Sequence, residues 1–418
     1  MCKRRYILFS TFFLIVFMAI GFLVLIAGVC AIPSNNISQN ALKSVKTMEE
    51  EGLKHKIGGF FLFRLDNFTD ALMMDIAVAV DDAKPIESAL SNTYYLEDDR
   101  MSVAKATEKA CYGDINNLQP IKYERYWHGY LVTLRPLLLI TDYQGIRTLN
   151  IIFLSTIFIL LCTLLYHYGD KYLCYAFVFT MAVFNVWIIP FSMQFSTTFY
   201  IAFISSVFLL IIHHKQNFKH TAFLFTVTGG FTAFMDLLTT PLLTLALPLT
   251  FMVYISKEKY TCNTIRILES VFFWLAGYVM IWVSKWFIAH WMVDYAISDA
   301  FNQAVMRTST SYGDVDMSIS GIFKYISNYP SLLYAIIFLI LIFLAFNLYL
   351  LKKNKNIYIT NTPLLLIAIM PFLWCLLLRN HSIIHYWFVW RIFIASLLPF
   401  LLFLIKYYRE KKSLPLHQ

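Results

Sequence analysis

Long apolar runs alternate with short polar segments along most of the chain. The first run covers residues 6–32 and follows the basic residues at 3–5. Later runs are predicted to span a membrane near residues 148–166, 172–190, 197–213, 220–237, 241–256, 267–289, 331–351, 363–378 and 386–406. A helix needs about 20 apolar residues to cross the hydrocarbon core of a bilayer. The pattern therefore predicts an all-α polytopic membrane protein with about ten transmembrane helices, the first of them uncleaved.

One long segment interrupts this pattern. Residues 33–147 contain Lys, Glu, Asp, Asn and Gln at a density typical of a soluble domain. Within it, residues 126–140 are too short and too often interrupted by polar side chains to span, which favours an interfacial helix. We therefore predict four parts, namely a first transmembrane helix (1–32), an extracytoplasmic loop domain with interfacial helices (33–147), a multi-span domain (148–406) and a cytosolic tail (407–418).

Composition and charge agree with this interpretation. The chain is 59% hydrophobic and only 14% charged, against about 25% charged residues in soluble domains. Its net charge of +9 comes from Lys and Arg in short loops, a distribution typical of the cytosolic side of membrane proteins. We therefore predict a multi-pass protein of the cell membrane with both termini cytosolic, membrane lipids as partners and no nucleic-acid partner. The seven cysteines show no C-x-x-C spacing, so neither a disulfide framework nor a zinc site is indicated.

Three carboxylates gather shortly after the first run. Asp66, Asp70 and Asp75 lie in a segment whose apolar spacing predicts a helix beginning at Asn67 as the N-cap residue. Asp70 then lies in the first turn, where the helix dipole favours an ionised carboxylate that can act as a general base. The alternative is that Asp70 only completes the cap. Asp75 lies about 140° around the helix from Asp70, so the two cannot form a close pair.

Other ionisable residues are predicted near the outer end of a span. Asp236 precedes a Thr-Thr-Pro turn, where it either caps the next helix or contributes to a site. Lys285 ends a span, where a lysine commonly extends its amine towards the interface. Further outer-face cations are Arg64, Arg125, His128, Arg135, Arg147 and Arg307. Recognition of a substrate phosphate needs only two or three of them, and the others are expected to be interfacial or structural.

The last outer segment is dense in nitrogen-bearing side chains. Asn380, His381 and His385 precede the last span, and Arg391 lies several residues into it. Two histidines four residues apart could bind a metal, but no Glu follows the first His as in H-E-x-x-H. A phosphate-binding cluster is the favoured interpretation, since Arg presents a planar fork to phosphate oxygens. No metal ligands and no certain cofactor are predicted, and a divalent cation is the one cofactor left open.

The chain lacks G-x-S-x-G, Walker A and H-E-x-x-H motifs, so a serine hydrolase, a P-loop ATPase and a zincin are unsupported. What remains is an outer-face carboxylate opposite outer-face cations. Glycosyl transfer from a polyprenyl-phosphate sugar uses this combination, because the acceptor hydroxyl must lose a proton and the departing phosphate must be stabilised.

The residues also resemble a known family. The stretch Thr69–Ala77, followed by Tyr126–Leu138 and Ile146–Asn150, is similar to motifs of the GT-C superfamily of integral-membrane glycosyltransferases. This resemblance implies a lipid-phosphate sugar donor, a glycan, lipid or protein acceptor in the cell envelope, and Asp70 as the base. The other outer-face residues named above would then bind substrate.

Two other classes of protein stay open. A carrier or flippase for a lipid-linked saccharide would also have many spans, but it is expected to show charges at mid-bilayer and broken-helix repeats, which are scarce here. A polymerase like those of O-antigen synthesis would have Arg-rich late outer loops, whereas residues 290–330 contain only Arg307. A non-catalytic assembly protein is the last alternative.

The predicted topology can be tested by labelling. Residues 33–147 and 379–386 should lie on the same, non-cytosolic side, because the basic loops fall on the other side. In a variant without native cysteines, single cysteines near positions 90 and 383 should both react with an impermeant maleimide added outside intact cells. A cysteine in the 257–266 loop is the control and should stay unlabelled. Labelling of positions 90 and 383 only after the membrane is opened would contradict the topology.

Overall fold

The computed structural model describes residues 2–60, 63–97, 102–213, 218–312, 315–327 and 330–413. The end of the predicted tail, residues 414–418, lies outside this part. The described chain is mainly helical. Its helices are α1 (Cys2–Cys30), α2 (Ser34–Glu51), α3 (Asn67–Val78), α4 (Pro85–Ser91), α5 (Val103–Cys111), α6 (Leu131–Leu138), α7 (Tyr143–Tyr168), α8 (Lys171–Val183), α9 (Met193–His213), α10 (Phe218–Met235), α11 (Leu242–Ile255), α12 (Tyr260–Val293), α13 (Ile297–Thr308), α14 (Ile319–Ser327), α15 (Pro330–Lys353), α16 (Lys355–Leu377), α17 (Arg379–Ile384), α18 (Tyr386–Val389) and α19 (Ile394–Ser413).

Strands are few and short. β1 (Tyr94–Leu96) pairs antiparallel with β2 (Gln119–Ile121), with Tyr95 opposite Pro120. β3 (Ser311–Tyr312) pairs antiparallel with β4 (Val315–Asp316). The predicted all-α class is thus confirmed in outline, with two small antiparallel pairs that the apolar pattern did not predict.

Among the residues that the structure describes, six helical segments are long and apolar enough to cross a membrane. They are Arg5–Cys30, Tyr143–Tyr168, Met193–Ile212, Tyr260–Val293, Lys355–Leu377 and Tyr386–Lys412. Each coincides with a predicted span. The chain is therefore a membrane protein by the length and composition of its helices.

Two predicted spans are shorter than expected. The run at 172–190 forms α8, of 13 residues, and then a left-handed Asn185 (φ 53°) and a 3-10 helix that contains Pro190. The run at 241–256 forms α11, of 14 residues. A helix of 13 or 14 residues is only about 20 Å long, so neither crosses a bilayer core of about 30 Å by itself.

The residues between α1 and α7 share a core of their own. Buried side chains of α2, α3, α5 and α6 pack together and against the end of α1, around Ile26, Met74 and Leu134. The predicted interfacial segment forms α6, which is only eight residues long. A larger core lies among α7 to α11, α16 and α19.

Helices α10 and α12 are in close backbone contact. A Cβ atom on Gly229 would lie 2.1 Å from the carbonyl oxygen of Trp274, and one on Gly277 would lie 2.1 Å from that of Thr226. Small residues commonly allow such an approach between membrane helices. α10 ends at Met235, and the Leu238 carbonyl in the loop that follows contacts His381 of the site described next.

Candidate functional site

Asp70 joins three helices. Its buried carboxylate accepts the hydroxyl of Tyr143 at 2.5 Å, the backbone N–H groups of Met193 and Gln194 at 3.0 and 2.9 Å, and the hydroxyl of Ser192 at 3.3 Å. Met193 is the first residue of α9, so Asp70 satisfies N–H groups that a helix start leaves without partners. The predicted cap role at the start of α3 is therefore wrong, because Asp70 instead caps a different helix, α9, far along the sequence.

The four contacts leave no free acceptor site on Asp70. Each carboxylate oxygen has about two lone pairs, and here Oδ1 accepts Ser192 and Gln194 while Oδ2 accepts Tyr143 and Met193. An acceptor hydroxyl would have to displace one of these donors. The predicted role of Asp70 as general base stays a prediction, and the structure gives the carboxylate a structural role as well.

The N-cap of α3 is Asp66, so the prediction of Asn67 at this position is wrong by one residue. Asp66 accepts the backbone N–H of Thr69 at 3.3 Å and its hydroxyl at 3.0 Å. Asn67 instead donates its side-chain N–H to Glu51 at 2.9 Å and to the Gly52 carbonyl at 3.1 Å. Because Asn67 is used in this tertiary contact, the adjacent carboxylate caps the helix.

Asp66 also contacts the last outer segment. Its Oδ2 accepts the indole N–H of Trp387 at 3.3 Å, and the guanidinium of Arg64 lies 4.2 Å from the ring of Trp387. With three donors for about four lone pairs, Asp66 keeps one acceptor position on Oδ1. Burial raises the pKa of this carboxyl above its ordinary value, so it holds a proton more strongly than an exposed Asp.

Asp75 faces in another direction. It is buried, and its Oδ1 accepts the backbone N–H of Tyr95 in β1 at 3.2 Å. Burial raises its pKa well above the ordinary value for an aspartate. Asp70 and Asp75 thus have separate partners, in agreement with their predicted separation around the helix.

Two of the predicted substrate-binding cations donate hydrogen bonds to backbone carbonyls at helix ends. Arg135 is buried and donates to the backbone carbonyls of Val29 at 2.9 Å, of Ile32 and of Ala77, near the C-terminal ends of α1 and α3. Lys285 is buried and donates to the carbonyls of Ala89 and Leu90 in α4 at 3.1 and 2.7 Å. Both cations therefore stabilise C-terminal helix ends, where the dipole favours positive charge.

Three more candidates have partners outside a common site. Arg147 pairs with Glu51 through two hydrogen bonds of 2.5 and 2.8 Å. Asp236 accepts the Thr198 hydroxyl and the Thr239 N–H. The ring of His128 contacts the hydroxyl of Tyr130 and the carbonyl of Tyr123, and burial lowers its pKa to about 3. Within the described chain, none of these three is hydrogen-bonded to another candidate. Arg147 does lie 4.1 Å from the ring of Tyr143, which donates to Asp70.

Arg307 joins the two late histidines. Its Nη1 lies 3.1 Å from Nδ1 of His381 and 3.2 Å from Nε2 of His385. Nε2 of His381 lies 2.8 Å from the Leu238 carbonyl, so this nitrogen must carry the proton and Nδ1 accepts from Arg307. Arginine can only donate, so Nε2 of His385 accepts from Arg307. The proton of His385 therefore lies on Nδ1, which is buried without a partner in the described chain.

The protonation of these rings follows from their surroundings. Burial and the charge of Arg307 lower the pKa of His385 to about 4, and burial lowers that of His381 well below its ordinary value. Both rings are therefore neutral at pH 7. The guanidinium of Arg307 occupies one nitrogen of each ring, which leaves no metal site between them.

Arg391 is buried without a polar partner. It is 1% exposed, and its Nε, Nη1 and Nη2 have no hydrogen-bond partner among the residues that the structure describes. Its guanidinium lies 4.7 Å from the ring of Phe195 and 5.3 Å from that of Trp390. A buried charge without a partner is costly, and such charges normally pair or coordinate a ligand.

We call Arg307, His381, His385 and Arg391 the outer cluster. Phe388 links its members, because its ring stacks on His385 at 5.2 Å and lies 6.3 Å from Phe195, the ring beneath Arg391. Asp66 reaches the cluster through Trp387, whose ring lies 5.3 Å from that of His385. Asn380 lies beside it and donates to the hydroxyl of Ser309 and the carbonyl of Ser311.

The sequence interpretation counted Arg64 among the outer-face cations but did not select Trp387 or Phe195. Trp387 lies two residues after His385, so proximity to a selected residue is the signal that could have found it. Phe195 has no such signal. In the described residues, no three or more His, Cys, Asp or Glu side chains form a group that could hold a metal ion.

The buried Asp70 predicts a pH effect on stability. Burial raises its pKa from 3.8 to about 6 in the folded chain. Between these values the folded chain binds a proton that the unfolded chain has lost, so this group lowers stability as pH rises from about 4 to 6, by about 3 kcal/mol in total. Relative to Asp70→Asn, the wild type should therefore lose stability over this range.

Thermal unfolding of the purified protein in detergent between pH 4 and 7 measures this difference. Asp114→Asn, at an exposed position, is the control and should follow the wild type. The same pH dependence in the wild type and in Asp70→Asn would contradict the assignment.

Comparisons with protein-family models, with curated proteins and with solved structures give no match to this chain.

Proposed function

We propose that the protein transfers a sugar from a polyprenyl-phosphate donor to a glycan, lipid or protein acceptor of the cell envelope, at the outer face of the membrane. The proposal includes the ten-span topology and the extracytoplasmic position of residues 33–147. It rests first on Arg391, whose three guanidinium nitrogens are buried without partners in the described chain.

A phosphate group would satisfy Arg391. Its oxygens accept two parallel N–H bonds from a guanidinium, and such charge-assisted pairs are roughly twice as strong as neutral ones. The Nδ1–H of His385 is a second buried donor without a partner. Arg391 belongs to an apolar helical segment long enough to span, so an anion bound there lies beside the bilayer and a lipid-linked phosphate fits this position.

The same cluster suits a departing phosphate. During transfer, the acceptor oxygen forms a bond to the anomeric carbon, the bond from that carbon to the phosphate oxygen breaks, and the electron pair leaves with the phosphate. Fixed N–H donors stabilise this growing negative charge more effectively in a site without water. No protonated carboxylic acid is needed on the leaving side.

The acceptor hydroxyl must also lose its proton. Asp66 has a free acceptor position and contacts Trp387, which neighbours the outer cluster. Asp70 has all its acceptor positions filled. We therefore assign the general-base role to Asp66 and keep Asp70 as the alternative that the experiment distinguishes.

The first test measures binding of the phosphate. Arg391→Lys keeps the charge but loses the planar fork, so binding of a polyprenyl phosphate to the purified protein in nanodiscs should weaken about tenfold or more. Arg379→Lys, in the same outer segment, is the matched control and should bind as the wild type does.

A second variant separates binding from folding. His385→Phe keeps a ring that can stack on Phe388 but removes the free N–H, and it should weaken binding less than Arg391→Lys does. The thermal midpoint of each variant shows whether it is folded. Wild-type affinity in both variants would contradict the phosphate site.

The second test concerns the carboxylates. Asp66→Asn should lower transfer by about 10²–10⁴-fold, since a general base contributes about that factor, and should leave polyprenyl phosphate binding unchanged. Asp70→Asn should mainly lower stability, by about 1 kcal/mol or more for a lost cap. Asp75→Asn, which faces Tyr95, should keep most of the activity.

Transfer is measured as release of polyprenyl phosphate from a labelled polyprenyl-phosphate hexose in membranes that supply the acceptor. A large loss of transfer in a stable Asp70→Asn variant, with normal transfer in Asp66→Asn, would return the base role to Asp70. Binding without release of polyprenyl phosphate in any protein, wild type included, would favour the carrier over the transferase.

A further inference from the structure

An aromatic pocket is lined in part by Arg307. It opens between α12, α13 and α16, and its volume is about 210 Å³. Pockets for drug-sized ligands are typically about 300–1,000 Å³. This pocket is therefore of a size to hold one small ring and its substituents.

Its walls are aromatic. Tyr278, Trp282 and Trp286 line it from α12, at a spacing of four residues that places them on one face of the helix. Tyr126 and Trp374 complete the walls. The ring of Trp282 lies 5.1 Å from that of Tyr126 and 5.9 Å from that of Trp286, both edge to face. Aromatic faces carry partial negative charge, so they attract the C–H groups of a sugar ring.

Two N–H donors at the pocket have no partner. The indole Nε1 of Trp282 and the Nε of Arg125 are buried without a hydrogen-bond partner in the described part of the chain, and both residues line the pocket. By contrast, Nε1 of the neighbouring Trp286 donates to the Arg125 carbonyl at 3.0 Å. A buried donor without a partner costs about 1–3 kcal/mol, so an occupant with oxygen acceptors is favoured over a purely apolar one.

Arg307 connects the pocket with the outer cluster. It lines the pocket, and its Nη1 contacts His381 and His385. One ligand can therefore place a ring in the pocket and an anionic group beside Arg307. A sugar linked to phosphate has this arrangement, since the phosphate is bonded directly to the ring.

We propose that this pocket binds the sugar ring of the phosphate-linked donor, with hydroxyl oxygens accepting from Trp282 and Arg125. The inference rests on the proposed function and adds where the enzyme recognises the sugar. The lipid tail has other places to lie, such as the apolar groove of about 490 Å³ between α6, α7 and α9.

The experiment compares two probes on the purified full chain in nanodiscs. One probe is a short-chain polyprenyl phosphate, and the other is the same lipid carrying glucose, mannose, galactose or N-acetylglucosamine on the phosphate. The wild type should bind at least one glycosylated lipid about tenfold or more tightly than the bare phosphate, because only the glycosylated lipid fills the pocket.

Trp282→Phe keeps an aromatic ring and removes the indole N–H. It should weaken binding of the preferred glycosylated lipid about 3- to 10-fold, as expected for one lost hydrogen bond, and leave the bare phosphate unchanged. Trp291→Phe is the matched control on the same helix, because Trp291 is 83% exposed, and it should change neither affinity.

The outcomes separate the two proposals. Equal affinity of the wild type for all the glycosylated lipids and the bare phosphate, with both weakened by Arg391→Lys, would overturn the sugar pocket and keep the phosphate site. An equal loss for both probes in Trp282→Phe would also overturn it and place the lipid tail in the pocket. No binding of either probe to the wild type would overturn both proposals.

Discussion

Buried charges at helix ends hold the outer segments against the long helices. Asp70 caps the start of α9 with its carboxylate. Arg135 donates hydrogen bonds to carbonyls near the ends of α1 and α3, and Lys285 donates to carbonyls of α4. Each sign matches the partial charge of the helix end that it contacts. Helix ends have N–H and C=O groups without intrahelical partners. At these helix ends the three side chains provide the missing hydrogen bonds, so the ends can be buried.

The number of filled hydrogen-bonding positions distinguishes charged residues that hold the fold from those that can still bind a substrate. A carboxylate or guanidinium whose hydrogen-bonding positions are filled by other groups of the protein holds the fold and has little capacity left for a substrate. Asp70 and Arg135 are of this kind. Asp66 keeps one acceptor position, and Arg391 keeps all of its donors in the described chain. A chain of ring contacts links these two residues, from Asp66 through Trp387, His385, Phe388 and Phe195 to Arg391.

The local part of this arrangement could be predicted from the sequence. Apolar length located the six long helices, and the run of carboxylates located α3, with Asp70 in its first turn. The partners of Asp70 could not be predicted, because they lie more than 70 residues away in α7 and α9. The N-cap was misplaced for a similar reason, since the contact of Asn67 with Glu51 depends on how α2 packs.

For the candidate site, the residues of the outer cluster could be predicted from the sequence, but their protonation and hydrogen-bond partners could not. His381, His385 and Arg391 were all predicted as cations or ligands of one phosphate. In the structure the histidines are neutral and orient Arg307, while Arg391 has no hydrogen-bond partner among the described residues. Which of several nearby nitrogens stays free is decided by tertiary contacts such as that of His381 with Leu238, and no spacing rule contains that information.

The position of Arg307 between two subsites has a consequence for turnover. A glycosylated lipid would contact both the aromatic pocket and the outer cluster, whereas the polyprenyl phosphate left after transfer would contact the cluster alone. The product therefore loses the interactions with Trp282 and Arg125 when the sugar departs. Since affinity rises tenfold for about 1.4 kcal/mol, even one or two such hydrogen bonds make the donor bind more tightly than the spent lipid. Fresh donor would then compete effectively with the product for the site.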